Sequence, residues 1–177
     1  MNPIILARLR LLIVTLWVGS LWTIGYLAAP TLFATLTDRV LAGSIAGSLF
    51  RVEAWLSLFC AGALIVLQVF AVRDQPLRLR LRLHQAWLAL VLGMLLCTLI
   101  GYFSVQPLMA GLRSLAGPDG VMAADIKARF GMLHGLASAI YLFQSLLAAL
   151  LMFRTGLVGE GVSNKNIDTK DIDSTSS

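Results

Sequence analysis

The chain has 177 residues, of which 58% are hydrophobic and 13% charged, with a mean hydropathy of +0.84. A soluble domain carries nearer a quarter of charged residues, so this balance excludes an ordinary soluble globular protein and points to a membrane. The formal net charge of +5 calls for no nucleic-acid partner, because the Lys and Arg residues fall between apolar runs and act as topology signals.

Four runs are free of charge: Leu11–Thr37, Ala54–Val72, Leu83–Leu112 and Phe130–Phe153. About 20 helical residues, at about 1.5 Å each, cross a hydrocarbon core of about 30 Å. All four runs suffice, the second only just. The first is too long for the apolar part of a removable signal peptide, and Arg8 and Arg10 precede it as an anchor.

Helix one is expected over about residues 6–33, with Pro30 kinking or ending it, since proline removes a backbone donor and crowds the preceding turn. Gly19, Thr23, Tyr26, Pro30 and Ala34 form a small, weakly polar stripe suited to helix packing. Thr37–Glu53 reads as a short amphipathic segment or an outward continuation of helix two, with Asp38 as N-cap and Gly43 and Gly47 as a small-xxx-small pair. Helix two follows over about 52–72, with Ser57, Ala61 and Gln68 on one face. Helix three covers about 83–105 and ends near Gln106 and Pro107; Gly93, Cys97 and Gly101 make another close-packing strip. Ser114–Asp125 is rich in turn residues. Helix four covers about 127–153, completing a transmembrane domain over 1–154. Residues 155–177 are polar, rich in Gly and Ser and without an apolar period, and so are expected to be a disordered cytoplasmic tail.

Nine of the 14 Lys and Arg residues lie on the side of the termini: Arg8, Arg10, Arg73, Arg78, Arg80, Arg82, Arg154, Lys165 and Lys170. The opposite side has Arg39, Arg51, Arg113, Lys127 and Arg129. The positive-inside rule then puts both termini in the cytoplasm.

On helix four, His134, Ser138, Tyr141, Ser145 and Ala148 recur at helical steps beside Gly131 and Gly135, which suggests an inward polar seam. His134 suits a structural hydrogen bond, ligand or proton handling, or metal binding. His84 and His134 begin antiparallel helices at opposite surfaces, about 30 Å apart, so one haem or metal cannot join them. Cys60 and Cys97 fall in the same half of the bilayer. With Met94, Met109 and Met132 they would suit copper, although packing explains them better. Glu53, Gln106, Arg113 and His134 all lie at helix ends on the outer side. The expectation is that Glu53, His134 and Arg113 bound a polar pocket beneath Asp38–Glu53, with Gln106, Tyr26 and Ser138 as further ligand-binding candidates. Gly43, Gly47, Pro30, Gly131 and Gly135 are the helix-packing candidates.

"GYLAAPTLFATL", "AGSLF", "QPLMAGLRSL" and "RFGMLHGLASAIYL", in that order, resemble the transmembrane-protein-two-hundred-and-five-like domain. The matching positions are Pro30, Phe33, Gly47, Phe50, Pro107, Arg113, Phe130, His134, Gly135 and Ser138. Where this chain has Tyr141 or a neighbour, the family pattern tends to carry Asn or a similar polar group. The resemblance implies a four-helix membrane fold and a bacterial inner-membrane address, and supplies no reaction.

The fold expected is an all-α membrane protein, an antiparallel four-helix transmembrane bundle with a short amphipathic segment after helix one. No Ser-His-Asp set, phosphate loop or HExxH is present, so the leading reading is non-enzymatic and without a cofactor or metal. The protein would bind a small ligand, lipid or partner at the outer side. The alternatives are a metal- or haem-handling redox protein and a structural subunit of a membrane complex. The partners expected are membrane lipids, a second copy of the chain or another membrane protein.

Overall fold

Helix one opens the bundle at Pro3 and runs to Thr35, with Thr23–Ala28 wound as π-helix between α-helical Pro3–Trp22 and Ala29–Thr35. The computed structural model describes the backbone over 3–72, 77–115 and 123–175, and side chains over 4–70, 85–115 and 123–156. Helix two is one rod, Arg39–Val72. Asp38 caps it, its Oδ1 accepting the N–H groups of Val40 at 2.8 Å and Leu41 at 3.0 Å. The amphipathic segment after helix one is therefore the outward continuation of helix two. Helix three comprises Leu77–Leu99, a π-helical stretch Ile100–Val105 and Gln106–Ser114, so it passes through Pro107 instead of ending there.

Helix four is Ala124–Thr175. Its backbone continues well past Phe153, where a disordered tail was expected. No proline interrupts residues 155–175, and adding a residue to an existing helix fixes little chain for each hydrogen bond gained.

Among the described residues, four helices are long and apolar enough to cross a membrane: Ile4–Thr35, Arg39–Phe70, Gln85–Ser114 and Ala124–Gly156. They expose large apolar side chains, Phe59 at 72% and Met132 at 73%. Such surfaces belong against lipid. The protein is a multi-pass membrane protein. Its core draws on every helix: Val14, Trp17, Val18 and Leu21; Cys60, Ala61 and Leu64; Val91 and Met94; Ala148 and Leu151.

Helices one and three each pack against two and four, in a ring. Neighbours run antiparallel, as the contacts Arg10–Leu67, Trp17–Ser57, Trp87–Thr155 and Thr98–Gln144 require. Beyond the π-helical stretches the pairing changes. Ala29–Thr35 leans on helix two, and Gln106–Ser114 packs on helix four.

The two π-helical stretches share a cause and a sequence. Ile24-Gly25-Tyr26 is followed by Pro30, and Ile100-Gly101-Tyr102 by Pro107. The residue before each proline donates its N–H five residues back, Ala29 to Ile24 O and Gln106 to Gly101 O. Proline has no N–H to offer. The next carbonyls in line, Gly25 O and Tyr102 O, are thereby freed from the helical ladder.

Candidate functional site

The expected rim pocket is not what the far side of the bundle holds. There the Arg113 guanidinium donates from one NH group to Gly43 O at 2.9 Å and lies 6.0 Å from the Phe130 ring centroid. Phe130 stacks on His134, with centroids 6.4 Å apart and planes 4° from parallel. A Cβ built on Gly43 or Gly47 would lie 3.8 or 3.7 Å from Arg113, so these two glycines do line a helix contact. Arg113 and His134 are thus joined through Phe130. Glu53 is not with them. It sits ten residues along helix two from Gly43, about 15 Å deeper. The displacement follows from the single long helix two, which raises Arg39–Gly47 above the level where the sequence suggested that the helix begins.

The inward seam of helix four also needs correction. Tyr141 is half-buried and Ser145 and Ala148 are buried, but His134, Ser138, Gly131 and Gly135 are exposed. The side facing the bundle at that end is Phe130, Leu133, Ala137 and Ile140. The lower part of this polar face is covered by helix one. The upper part is left open because helix one, past its π-helical stretch, turns to helix two. On helix one, Gly19, Thr23, Tyr26, Pro30 and Ala34 are exposed, and Val14, Trp17, Val18 and Leu21 form the packing face instead. Gln106 is half-buried beside Pro107.

Glu53 itself is only 4% exposed. Ser57 on the next turn donates to its Oε1 at 3.2 Å, and the Trp17 indole N–H donates to Ser57 at 2.8 Å. Ser20 touches the carboxyl as well, but its single proton goes to Trp17 O at 2.9 Å. Glu53 Oε2 is left buried with no hydrogen-bond partner. An orphaned buried acceptor costs about 1–3 kcal/mol, and a charged one more.

From helix four, Tyr141 packs into helix one at Gly25. Its hydroxyl donates to Leu21 O and stands close to the backbone of Gly25. The phenol oxygen is spliced between the two groups that would bond to each other in an unbroken α-helix, one of the few ways a helix is opened mid-course. Gly25 makes this possible: a Cβ there would lie 2.7 Å from the Tyr141 hydroxyl oxygen and overlap the ring. Tyr26 and Phe50 pack edge-on to Tyr141, at 6.1 and 5.6 Å, and Tyr26 donates to Ser145 Oγ at 2.9 Å.

Gly25, Glu53, Tyr102 and Tyr141 share one level. Each lies fourteen or fifteen residues from the Arg10–Leu67 and Trp87–Thr155 contacts, about 21–23 Å along the helices. At this level the polar contacts come from helices one, two and four, and Tyr102 of helix three packs on Trp55. Gln144 and Thr98, 3.0 Å apart, tie helices three and four nearby. Cys60 and Cys97 are buried free thiols. Among the described residues no three His, Cys, Asp or Glu side chains come together as metal ligands, and the His84 side chain lies outside the described residues.

An antiparallel bundle of four spanning helices with a buried, incompletely satisfied carboxyl defines the class: an integral membrane protein organised around a polar layer. The chain belongs to the family described as a domain of unknown function (DUF4149), whose model matches residues 12–117. No curated protein and no solved structure matches the chain. The match spans helices one to three and so includes Gly25, Glu53 and Tyr102.

Sequence reasoning missed Trp17, Ser20, Ser57, Gly25 and the use made of Tyr141. The recurrence of Ile-Gly-Tyr before a proline, once in helix one and once in helix three, was the signal that could have found the layer.

Proposed function

We propose that the protein is a non-enzymatic membrane protein that binds a small ligand within the bundle, with Glu53 as its anchor. The ligand presents a positive charge or a hydrogen-bond donor. One observation carries this reading: Glu53 Oε2 is buried and has no hydrogen-bond partner. Ionisable groups at membrane depth are costly and mark ligand, ion or proton paths. The exposed face of helix four, His134 and Ser138 leading down to Tyr141, supports a lateral approach from the far end, so the outer-side candidates of the sequence become entry residues. Arg113 shapes that end by clamping helix three to Gly43.

The test uses the full chain in lipid nanodiscs. Methylammonium is expected to raise the unfolding temperature of the wild type and leave Glu53→Gln unmoved, while acetate raises neither. Equal responses in the two proteins would overturn the reading.

A second reading, self-association, is favoured by Gly131 and Gly135, which have open space where a Cβ would stand. Small residues on an uncovered helix face allow close approach of another helix. Gly135→Leu would then abolish a cross-linked dimer that Gly101→Leu leaves intact. The basic residues around the termini support an inner-membrane orientation with both termini cytoplasmic, and the residues quoted above support a kinship with the transmembrane-protein-two-hundred-and-five-like domain in particular.

A further inference from the structure

Two arginines at opposite ends of the bundle are held in the same way. Arg10 of helix one donates from a terminal nitrogen to Leu67 O of helix two at 3.0 Å, and its guanidinium carbon lies 5.8 Å from the centroid of the Trp87 ring of helix three. Arg113 of helix three repeats this with Gly43 O of helix two and the Phe130 ring of helix four. Each guanidinium is thus fixed by a carbonyl of helix two and an aromatic ring of a further helix. Both side chains are half-buried, and in both the Nε is buried without a hydrogen-bond partner.

The fold leaves these cations unmatched. A guanidinium has five N–H groups in a planar fork and keeps its charge. Among the described residues each of these two has one acceptor and forms no ion pair. Among the described side chains no Asp or Glu stands at the level of Arg10, where Arg8 and Arg154 add to the positive charge. Around Arg113, the cations Arg39, Lys127 and Arg129 outnumber Asp38 and Asp125, and Asp38 is engaged in capping helix two.

Depth identifies the missing anion. Gly43 and Leu67 lie about 36 Å apart along helix two. The hydrocarbon core of a bilayer measures about 30 Å, and about 40–45 Å with its headgroups. Both guanidiniums therefore stand just outside the hydrocarbon, one in each leaflet, where lipid phosphates are. Large apolar side chains are exposed beside them, Leu9 and Leu11 near Arg10, Leu108 and Leu115 near Arg113. A free anion makes no use of such surfaces, whereas an amphiphile with an anionic head matches both parts. A zwitterionic lipid would bring a cation of its own to a region already in positive excess.

We infer that Arg10 and Arg113 are paired lipid anchors, each binding the phosphate of an anionic phospholipid through the N–H groups that the fold leaves free. The carbonyl and the ring hold each fork in place before the phosphate arrives, so binding orders little further side chain. Because both anchors bear on helix two, the pair also sets the depth of Glu53, about 15 Å inside the far one. The inference is independent of the ligand-binding reading of Glu53.

The experiment counts lipids retained by the full chain, using native mass spectrometry on protein released from nanodiscs of equal parts phosphatidylglycerol and phosphatidylcholine. The wild type should keep two phosphatidylglycerols, Arg10→Gln or Arg113→Gln one, and the double variant none. Arg113→Lys, which keeps the charge and loses the fork, should weaken retention at that end several-fold. Arg129→Gln removes an exposed cation outside the anchors and should leave the count at two. A second readout uses the wild type alone, so that it stands even if an arginine variant does not fold. Phosphatidylglycerol added in uncharged micelles should raise the unfolding temperature saturably, and neither phosphatidylcholine nor inorganic phosphate should do so. Equal retention of the two lipids, or equal losses in Arg113→Gln and Arg129→Gln, would reduce the effect to general charge attraction and overturn the anchors. An equal rise with inorganic phosphate would make these sites for a free anion and overturn the lipid.

Discussion

Helix one and helix three carry the same Ile-Gly-Tyr before a proline, and both wind into π-helix there, yet the two sites are built differently. At Gly25 the notch is filled: the Tyr141 ring occupies it and its hydroxyl enters the helical ladder. At Gly101 nothing stands within 4 Å of where a Cβ would be. Tyr102 turns outward to Trp55 and Phe103, at 6.5 and 4.9 Å, whereas Tyr26 reaches Ser145 on helix four. The proline alone is therefore enough to produce a π-helical stretch. What distinguishes helix one is a side chain from another helix that locks the stretch in place.

The comparison is broken most severely at its filled notch. Gly25→Ala forces a methyl group into the Tyr141 ring, and overpacking of this kind costs about 1–3 kcal/mol. Reversible unfolding in mixed micelles should register that loss, and a variant as stable as the wild type would mean that Tyr141 is not seated there. Tyr141→Phe keeps the ring and removes only the inserted oxygen. The expected cost is about 0.5–1.5 kcal/mol, the net worth of a hydrogen bond, because Leu21 O and the Gly25 N–H can then pair with each other. Hydrogen exchange at Gly25 separates the two outcomes. Continued protection signals a rewound helix, and rapid exchange signals a stretch kept open by Pro30.

A similar loss, about 1 kcal/mol, is expected for Trp17→Phe, which deprives Ser57 of the indole donor while leaving the apolar contact nearly intact. Because Ser57 also supports Glu53 Oε1, this variant should weaken any response of the protein to the ligand class proposed above.

The overall architecture was readable from the charge-free runs because hydrophobic length is a strong constraint: Ala54–Val72 was just long enough, and the helix containing it proved to be Arg39–Val72. Asp38 was readable too, since a short acidic side chain before an apolar helix satisfies free N–H groups. Depth was less readable. Glu53 and Arg51 suggested a helix end, but a helix does not stop where the hydrocarbon stops, and the extra turns carried Glu53 below the rim. Burial on helix four was not readable beyond Tyr141. His134 and Ser138 lie on the same face as Tyr141 and Ser145, and only the turning away of helix one leaves the first two exposed. That change of direction follows the π-helical stretch before Pro30 of helix one, which no periodicity within helix four encodes.

The open notch of helix three supplies a smaller test, and of opposite sign. Gly101→Ala adds a methyl group to empty space in a helix interior, where alanine is favoured over glycine by roughly 0.5–1 kcal/mol. The variant should be as stable as the wild type or slightly more so, measured beside Gly25→Ala in the same micelles. If both alanines destabilise equally, the two π-helical stretches are equivalent and the locking role of Tyr141 is lost. The rim gives the smallest effect. The His134 side chain is exposed and stacks on Phe130, so His134→Ala should change stability by no more than about 0.5 kcal/mol, as surface substitutions do. A larger loss would mean that this face is covered in the membrane, and by something other than helix one, which the structure directs away from it.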